Sequence, residues 1–250
     1  MNHDLDPKHR AVAEPPGGAQ APDPAGVDPA GCGAEHGLRA GTGGDRADSR
    51  DTRGTRPENA TRFIETRLGT LSYAELAPLL AERVALVELA LFEDECFADS
   101  ALDEHLVKEL HRGIAGDLVP EWAGHWRDIE VTVGRLSPPA PWQLPTLMRD
   151  YGLDLQARWA GAVSGDPKLL LEFLAFAEGR FLTVHPFRDF NGRTVRVFLL
   201  ELLRRLDLPR VELAPQTDDG RATYFAALEA ADQLDWQPLM LVWENRLSQA

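Results

Sequence analysis

A short stretch in the last third of the chain combines residue types that could move a proton and hold an anion. Between Val184 and Arg196 it contains the imidazole of His185, the carboxylate of Asp189, Gly192 and the guanidinium groups of Arg193 and Arg196. His185 has an ordinary pKa near neutrality, so it could accept a proton from an attacking hydroxyl. Asp189 supplies the type of oxygen ligand that Mg²⁺ prefers, which is commonly one or two carboxylates together with substrate phosphates.

The same stretch predicts the start of a helix. Asn191, Gly192 and Arg193 come directly before a strongly apolar run that begins at Val197. At a helix N-terminus the first amides have no partner within the helix and the dipole is positive, so an anion such as phosphate is held well. Arg193 and Arg196 lie one turn apart and would add planar donors for phosphoryl oxygens.

These residues together resemble the signature of the Fic (Fic/Doc) family. The matching pattern is His185-Pro186-Phe187-x-Asp189-x-Asn191-Gly192-Arg193-x-x-Arg196, and its one departure is Phe190, where most family members have Gly and some have Ala. A pattern with so many defined positions is far more constraining than a lone glycine-rich loop. The resemblance implies an all-α Fic-fold helical bundle with a small β-hairpin flap beside the active site.

The resemblance also implies roles for individual residues. His185 would be the catalytic base and Asp189 the metal ligand, with ATP and Mg²⁺ as the bound nucleotide and ion. The nucleotide and its phosphates would be bound by Phe187, Asn191, Gly192, Arg193 and Arg196. The implied reaction is transfer of AMP from ATP to a Tyr, Thr or Ser hydroxyl of a target protein, with the triphosphate held at the helix N-terminus.

Three other readings of the motif stay open. The first is a Doc-like protein phosphotransferase or toxin, which would transfer the γ-phosphoryl group. Doc-like family members have Lys at the position of Gly192, so Gly favours AMP transfer. Phe190 could instead leave a catalytically weak interaction module, because a bulky ring could narrow the pocket. Taken one at a time, the motif residues also fit an ordinary capped helix start.

A second segment predicts a strand in a chain that is otherwise helical. Residues Ile129 to Val133 alternate apolar and polar side chains, which is the period of a strand. By resemblance, Arg127 to Leu136 would be the flap that binds an extended target peptide through backbone hydrogen bonds. The candidate docking residues are Arg127, Ile129, Val131 and Val133. The alternative is an ordinary surface hairpin.

Many Fic proteins are inhibited by a Glu that pairs with the second motif arginine, here Arg196. The pattern of that helix is Ser or Thr, three residues, then Glu, and it is matched in part at Thr61 to Glu65 and at Ser100 to Glu104. Such spacings are common in helix caps. Inhibition by Glu65, inhibition by Glu104, a separate antitoxin chain and no inhibition are therefore all open.

The remaining sequence sets the domain boundaries and excludes some partners. Residues 1–60 are rich in Pro, Gly and Ala and predict a disordered tail, whereas residues 61–250 predict the Fic-like domain. The net charge of -14 argues against nucleic-acid binding, which needs a basic surface. No apolar run reaches the length of a membrane span and no secretory signal is evident, so we expect a cytoplasmic protein.

Apolar residues at helical spacing predict the bundle itself. The expected helices are residues 73–94, 100 or 102 to 115, 145–162, 167–183, 191–206, 221–231 and 238–247. The fourth is almost continuously apolar and is expected to be the buried central helix that ends at His185.

Overall fold

The structure is a computed structural model, and it describes residues 63–93, 96–134 and 136–250. The predicted tail, residues 1–60, lies outside the described residues. Within these residues the chain forms seven α-helices and one short hairpin: β1 (Phe63–Thr66), β2 (Gly69–Ser72), α1 (Tyr73–Phe92), α2 (Glu104–Ala115), α3 (Leu144–Ala162), α4 (Pro167–Val184), α5 (Asn191–Arg205), α6 (Asp218–Ala231) and α7 (Gln237–Ser248).

The predicted helices are confirmed, and their bounds differ from the expected ones by a few residues. Local capping explains why they begin where they do. The hydroxyl of Ser72 accepts the backbone N–H of Glu75, whose carboxylate accepts the backbone N–H of Ser72, so both ends of a capping box are present at α1. Asp166 caps α4 and is followed by Pro167, a residue well suited to the first helical position.

Helix α4 is the centre of the bundle, as its composition predicts. It packs against α3, α5, α6 and α7, while α2 packs against both α1 and α5. Phe173, Leu174, Phe181 and Val184 on α4 are at most 1% exposed. Burial of side chains of this size contributes about 1.5–3 kcal/mol each relative to exposure. The C-terminal end of α4, where His185 follows, is therefore fixed by the core.

A buried ion pair joins α4 to α7. The carboxylate of Glu178 accepts hydrogen bonds from the guanidinium of Arg246 and from the hydroxyl of Tyr224. Arg246 also donates to the backbone carbonyl of Leu213, at 2.8 Å. The segment between α5 and α6 is thereby held against the bundle.

The β-structure differs from the prediction. The strand predicted over Ile129 to Val133 is absent, and that prediction is wrong: the segment forms only an isolated bridge between Val133 and Leu136. The hairpin of this fold is formed by β1 and β2, which pair antiparallel from Phe63 opposite Ser72 to Thr66 opposite Gly69. Gly69 has φ +104°, a conformation that favours glycine and lets the chain reverse here.

Among the helices of the described residues, none combines the length and apolar character that crossing a bilayer requires.

Candidate active site

Helix α4 ends at His185 because the next residue is proline. Pro186 has no N–H and disfavours the α-helical conformation in the residue before it. His185 adopts the left-handed conformation instead, with φ 49° and ψ 61°, and its N–H still bonds the carbonyl of Phe181 at 2.9 Å. The imidazole is half-buried. The ring is therefore placed at the end of the central helix and is not sealed inside the bundle.

One hydrogen bond sets the tautomer of His185. Its Nδ1 lies 3.3 Å from the backbone carbonyl of Leu182. A carbonyl can only accept a hydrogen bond, so in the neutral ring Nδ1 carries the proton and Nε2 carries the lone pair. Nε2 is consequently the nitrogen that can act as a base.

The loop from His185 to Asn191 is held by its own polar groups. The side-chain amide of Asn191 bonds both backbone groups of Phe187: Oδ1 accepts its N–H at 3.0 Å and Nδ2 donates to its carbonyl at 2.9 Å. The Phe187 ring is fully buried and stacks on His111 with 3.8 Å between ring centroids. Binding of the nucleotide by Asn191 and Phe187 stays a prediction, while the structure shows that their side chains shape the loop.

Asp189 lies in the middle of this loop. Its Oδ1 accepts the backbone N–H of Phe190 at 2.7 Å. No group of three or more His, Cys, Asp or Glu residues in the described part of the chain could hold a metal ion by itself. A cation here would therefore depend on one carboxylate together with ligand and water oxygens, which is the mode that Mg²⁺ commonly uses.

Phe190 occupies a backbone position that suits glycine. It precedes α5 in the left-handed conformation, with φ 61° and ψ 11°. For a residue with a side chain this conformation costs roughly 1–2 kcal/mol. The ring is only 3% exposed and stacks on Trp122 with 5.5 Å between centroids. The large side chain is thus directed into the core, and its burial offsets the backbone strain.

The two motif arginines line one cavity but differ in their contacts. The cavity has a volume of about 440 Å³ and lies between α1, α5 and the segment before α6. Arg193 donates to the hydroxyl of Tyr73, a residue that sequence reasoning did not select. Arg196 is exposed, and within the described residues it forms no hydrogen bond or ion pair. Its guanidinium is therefore available to an anion in this cavity.

The first turn of α5 also leaves space beside the cavity. A Cβ added at Gly192 would have only the guanidinium of Arg196 within 4 Å, at 4.0 Å. The lining of the cavity includes neither His185 nor Asp189 among the described residues. The base and the carboxylate lie on the loop that precedes α5, and the cavity lies along the helix beyond it.

His111 on α2 contacts this loop through a hydrogen bond to the backbone of Asp189 and through stacking on Phe187. It is fully buried, its Nδ1 accepts the N–H of Gly124 at 2.8 Å, and its Nε2 lies 3.2 Å from the carbonyl of Asp189. Burial lowers its pKa from 6.5 to about 4. The ring is therefore neutral near pH 7, with Nε2 donating to Asp189.

The flap residues, 127–136, fall into two groups. Ile129 is 48% exposed, Val133 is 39% exposed and Val131 is half-buried, so these side chains lie at or near the surface. Arg127 is 2% exposed, and its guanidinium donates to backbone carbonyls that include that of His185. A buried side chain cannot contact a docked target directly, so the expected docking role does not fit Arg127 in this conformation.

Glu65 lies on a strand, not on the helix that the inhibitory pattern requires. It is part of β1, and both of its carboxylate oxygens lie 2.8 Å from the hydroxyl of Thr70. No hydrogen bond or ion pair joins Glu65 to Arg196 in the described part of the chain. Glu104 is the first residue of α2. An inhibitory role for either residue stays a prediction.

Comparison with known proteins shows which family this part of the chain resembles. Residues 101–203 match the sequence profile described as Fic/DOC family, and this range contains α2 to α5 and the loop just described. The chain thus contains a match to the Fic/DOC family over residues 101–203. The chain is 31% identical over 134 residues to Protein adenylyltransferase Fic of Drosophila persimilis. It is 34% identical over 137 residues to Protein adenylyltransferase fic-1 of Caenorhabditis elegans.

The matched parts are limited in length. Each alignment covers 54% of this chain and 25% of the relative, so the chain spans about a quarter of the length of these relatives. Among solved structures, the fold is similar to that of the BepC protein of Bartonella tribocorum with bound AMPPNP. The TM-score is 0.57 at 18% identity, covering 76% of this chain and 94% of that one. The N-terminal FIC domain of Bep8 from Bartonella sp. 1-1C gives 0.61 at 15% identity, covering 74% and 90%. These similarities establish the Fic fold.

Proposed function

We propose that this Fic domain transfers AMP from ATP to a hydroxyl group of a target protein. The observation that carries the proposal is that His185 and Asp189 lie on one loop that leads directly into the N-terminus of α5. His185 has its lone pair on Nε2, and α5 begins with Arg193 and Arg196 lining one cavity. Two relatives are named protein adenylyltransferases, which supports the same reaction.

The residues of this chain would divide the work as follows. Nε2 of His185 accepts the proton of the target hydroxyl as its oxygen attacks the α-phosphorus. The bond between the α-phosphorus and the bridging oxygen breaks, and pyrophosphate leaves. The first amides of α5, together with Arg193 and Arg196, hold the phosphates and balance their charge. Positioning and charge neutralisation account for most of the catalysis in such transfers.

Asp189 is the residue that would hold Mg²⁺ with the triphosphate. When bound, the ion would neutralise phosphate charge and orient the triphosphate. Within the chain, the N–H of Phe190 orients the carboxylate of Asp189 by a hydrogen bond to Oδ1. Nε2 of His111 bonds the backbone carbonyl of the same residue. These contacts would fix where the ion is held.

Attack at the α-phosphorus is favoured over attack at the γ-phosphorus by Gly192. A side chain there would project beside Arg196 at the helix start, whereas glycine lets phosphates approach the backbone closely. Phe190 does not oppose this, because its ring is buried against Trp122.

The test is labelling of the full chain with ATP and Mg²⁺, followed by mass spectrometry of the intact protein. We expect label from α-labelled ATP, a mass gain of AMP, and loss of both in His185→Ala. His105→Ala is the matched control, because His105 is an exposed histidine on α2. Label from γ-labelled ATP alone would instead indicate phosphotransfer, and equal labelling of wild type and His185→Ala would refute the role of His185.

Self-inhibition is tested separately with Glu65→Gly. The variant removes the carboxylate that bonds Thr70, and self-labelling should rise if Glu65 restrains Arg196. Unchanged labelling would exclude Glu65 and leave Glu104, an antitoxin chain or no inhibition. A cytoplasmic location stays a prediction, which fractionation of cells that produce the protein would test.

A further inference from the structure

Arg127 is the first flap residue, and the role expected for it does not fit its position. Its side chain is 2% exposed and among the largest that are fully buried. Nε donates to the carbonyl of His185 at 2.8 Å, and Nη2 lies 3.4 Å from the carbonyl of Val184. The guanidinium therefore bonds the backbone at the end of α4, including the carbonyl of the residue that carries the candidate base.

The other donors of Arg127 reach the backbone near the start of the flap segment and just after its last residue, Leu136. Nη1 donates to the carbonyl of Ile129 at 3.0 Å, and Nη2 donates to the carbonyl of Pro139 at 2.5 Å. The backbone N–H of Arg127 bonds the carbonyl of Pro186 at 2.9 Å. Arg127 thus connects the start of the flap segment, and the residues that follow its end, to the loop that carries His185.

The charge of Arg127 is balanced in an unusual way. In the described residues no carboxylate forms an ion pair with it, and its partners are backbone carbonyls. The carbonyls of Val184 and His185 lie at the C-terminus of α4, where the helix dipole is negative and a cation is stabilised. The planar fork of arginine reaches several carbonyls at once, which the single ammonium group of lysine cannot do.

The contact with His185 has a geometric consequence. His185 is held in a left-handed backbone conformation, which is strained for a residue with a side chain. The direction of its carbonyl, and with it the direction of the imidazole, depends on that conformation. The bond from Nε of Arg127 to this carbonyl stabilises it from the flap side.

A second contact between the flap and the loop is exposed and weaker. Arg188 donates to Asp128 from Nε at 2.9 Å and Nη2 at 2.6 Å, and Asp128 is largely exposed. Exposed ion pairs of this kind contribute little to stability. The buried contacts of Arg127 therefore carry most of the connection.

We propose that Arg127 is a positioning residue that couples the flap to His185, so that the ring of the base is correctly oriented only when the flap is in place. The proposal rests on the AMP transfer proposed above. In functional terms, the guanidinium of Arg127 would hold both the flap on which a target docks and the backbone of His185, the base that activates the target hydroxyl.

The experiment compares Arg127→Lys with Arg205→Lys in the full chain. Arg205 is the matched control because it is also a shielded arginine that donates to backbone carbonyls, those of Ser100 and Phe97, but it lies at the far end of α5. Arg127→Gln serves as the second variant if the lysine variant does not fold.

Three quantities are measured on each variant. The first is the ¹⁵N NMR signature of the His185 ring over pH, the second is hydrogen exchange of the flap amides, and the third is self-labelling by ATP and Mg²⁺. For Arg127→Lys we expect changed His185 signals, faster flap exchange, and a maximal labelling rate about 10- to 100-fold lower with the half-saturating ATP concentration little changed. For Arg205→Lys we expect wild-type values in all three.

The outcomes separate this inference from the proposed function. Unchanged His185 signals and flap exchange in Arg127→Lys would overturn the coupling, and so would an unchanged labelling rate in an active protein. If the wild type shows no labelling at all, the proposed AMP transfer fails. The NMR and exchange measurements would still decide whether Arg127 couples the flap to His185.

Discussion

The loop that carries the candidate base and the flap beside it are built in opposite ways. The loop residues Phe187, Phe190 and Asn191 are at most 3% exposed and are held by aromatic stacking and by side-chain bonds to the backbone. The flap has one isolated bridge at its tip, and Ile129 and Val133 are exposed.

The difference indicates how the two regions would work. Catalysis depends on groups held within a fraction of an ångström, so the loop gains from rigid support. A surface that pairs with a target strand needs open backbone groups, so few internal bonds are expected there. Substitutions in the loop should therefore change stability, whereas those at the flap tip should change target binding alone.

The largest effect is expected from Phe190→Ala. Removal of a buried ring that stacks on Trp122 should lower the free energy of unfolding by about 3–5 kcal/mol. Phe190→Gly should recover about 1 kcal/mol of this loss, because glycine adopts the left-handed conformation without strain. Urea unfolding of the two variants measures the difference. Equal free energies of unfolding for the two variants would show that the left-handed backbone conformation of residue 190 carries no strain.

A second effect concerns pH and His111. The native pKa of about 4 is below the ordinary 6.5, so between these values the unfolded state binds the proton and the native state does not. Stability should therefore be lost as pH falls from 6.5 to about 4, by about 3 kcal/mol in total. His111→Gln should lack this part of the pH dependence. Parallel stability curves for wild type and variant would contradict the assignment.

Asn191→Ala tests the polar support of the loop. It removes two hydrogen bonds to the backbone of Phe187, each contributing roughly 1 kcal/mol, so we expect a loss of about 2 kcal/mol. Exchange of the Phe187 amide should become faster at the same time. An amide that stays protected in the variant would mean that another group holds the loop.

The smallest effect on stability is expected at the flap tip. Val133→Ala, in a residue that is 39% exposed, should change the free energy of unfolding by less than about 0.5 kcal/mol. Its effect should appear instead as weaker binding of a target peptide, once a target is identified. A loss comparable to that of Asn191→Ala would show that the flap is part of the folded core.

Sequence patterns predicted most of the helical bundle because apolar spacing and caps act locally. Leu76, Leu80 and Leu91 on α1 repeat at helical intervals, and Ser72 with Glu75 marks its beginning. The alternation at Ile129 to Val133 predicted a strand that does not form. A strand needs a pairing partner, and the period of the side chains alone does not supply one. The hairpin at Phe63–Ser72 was missed, although Gly69 between alternating segments was a signal for it.

The sequence by itself determined the bundle and the group of residues from His185 to Arg196, because both depend on neighbours along the chain. Only the tertiary structure decided that Phe190 is a core residue, that His111 supports Asp189 and that Arg127 holds His185. Each of these three facts depends on contacts between segments distant in sequence. The hydrogen bond between His111 and the carbonyl of Asp189, for example, joins residues 78 positions apart. Local pattern carries no information about which distant carbonyl a buried donor will reach.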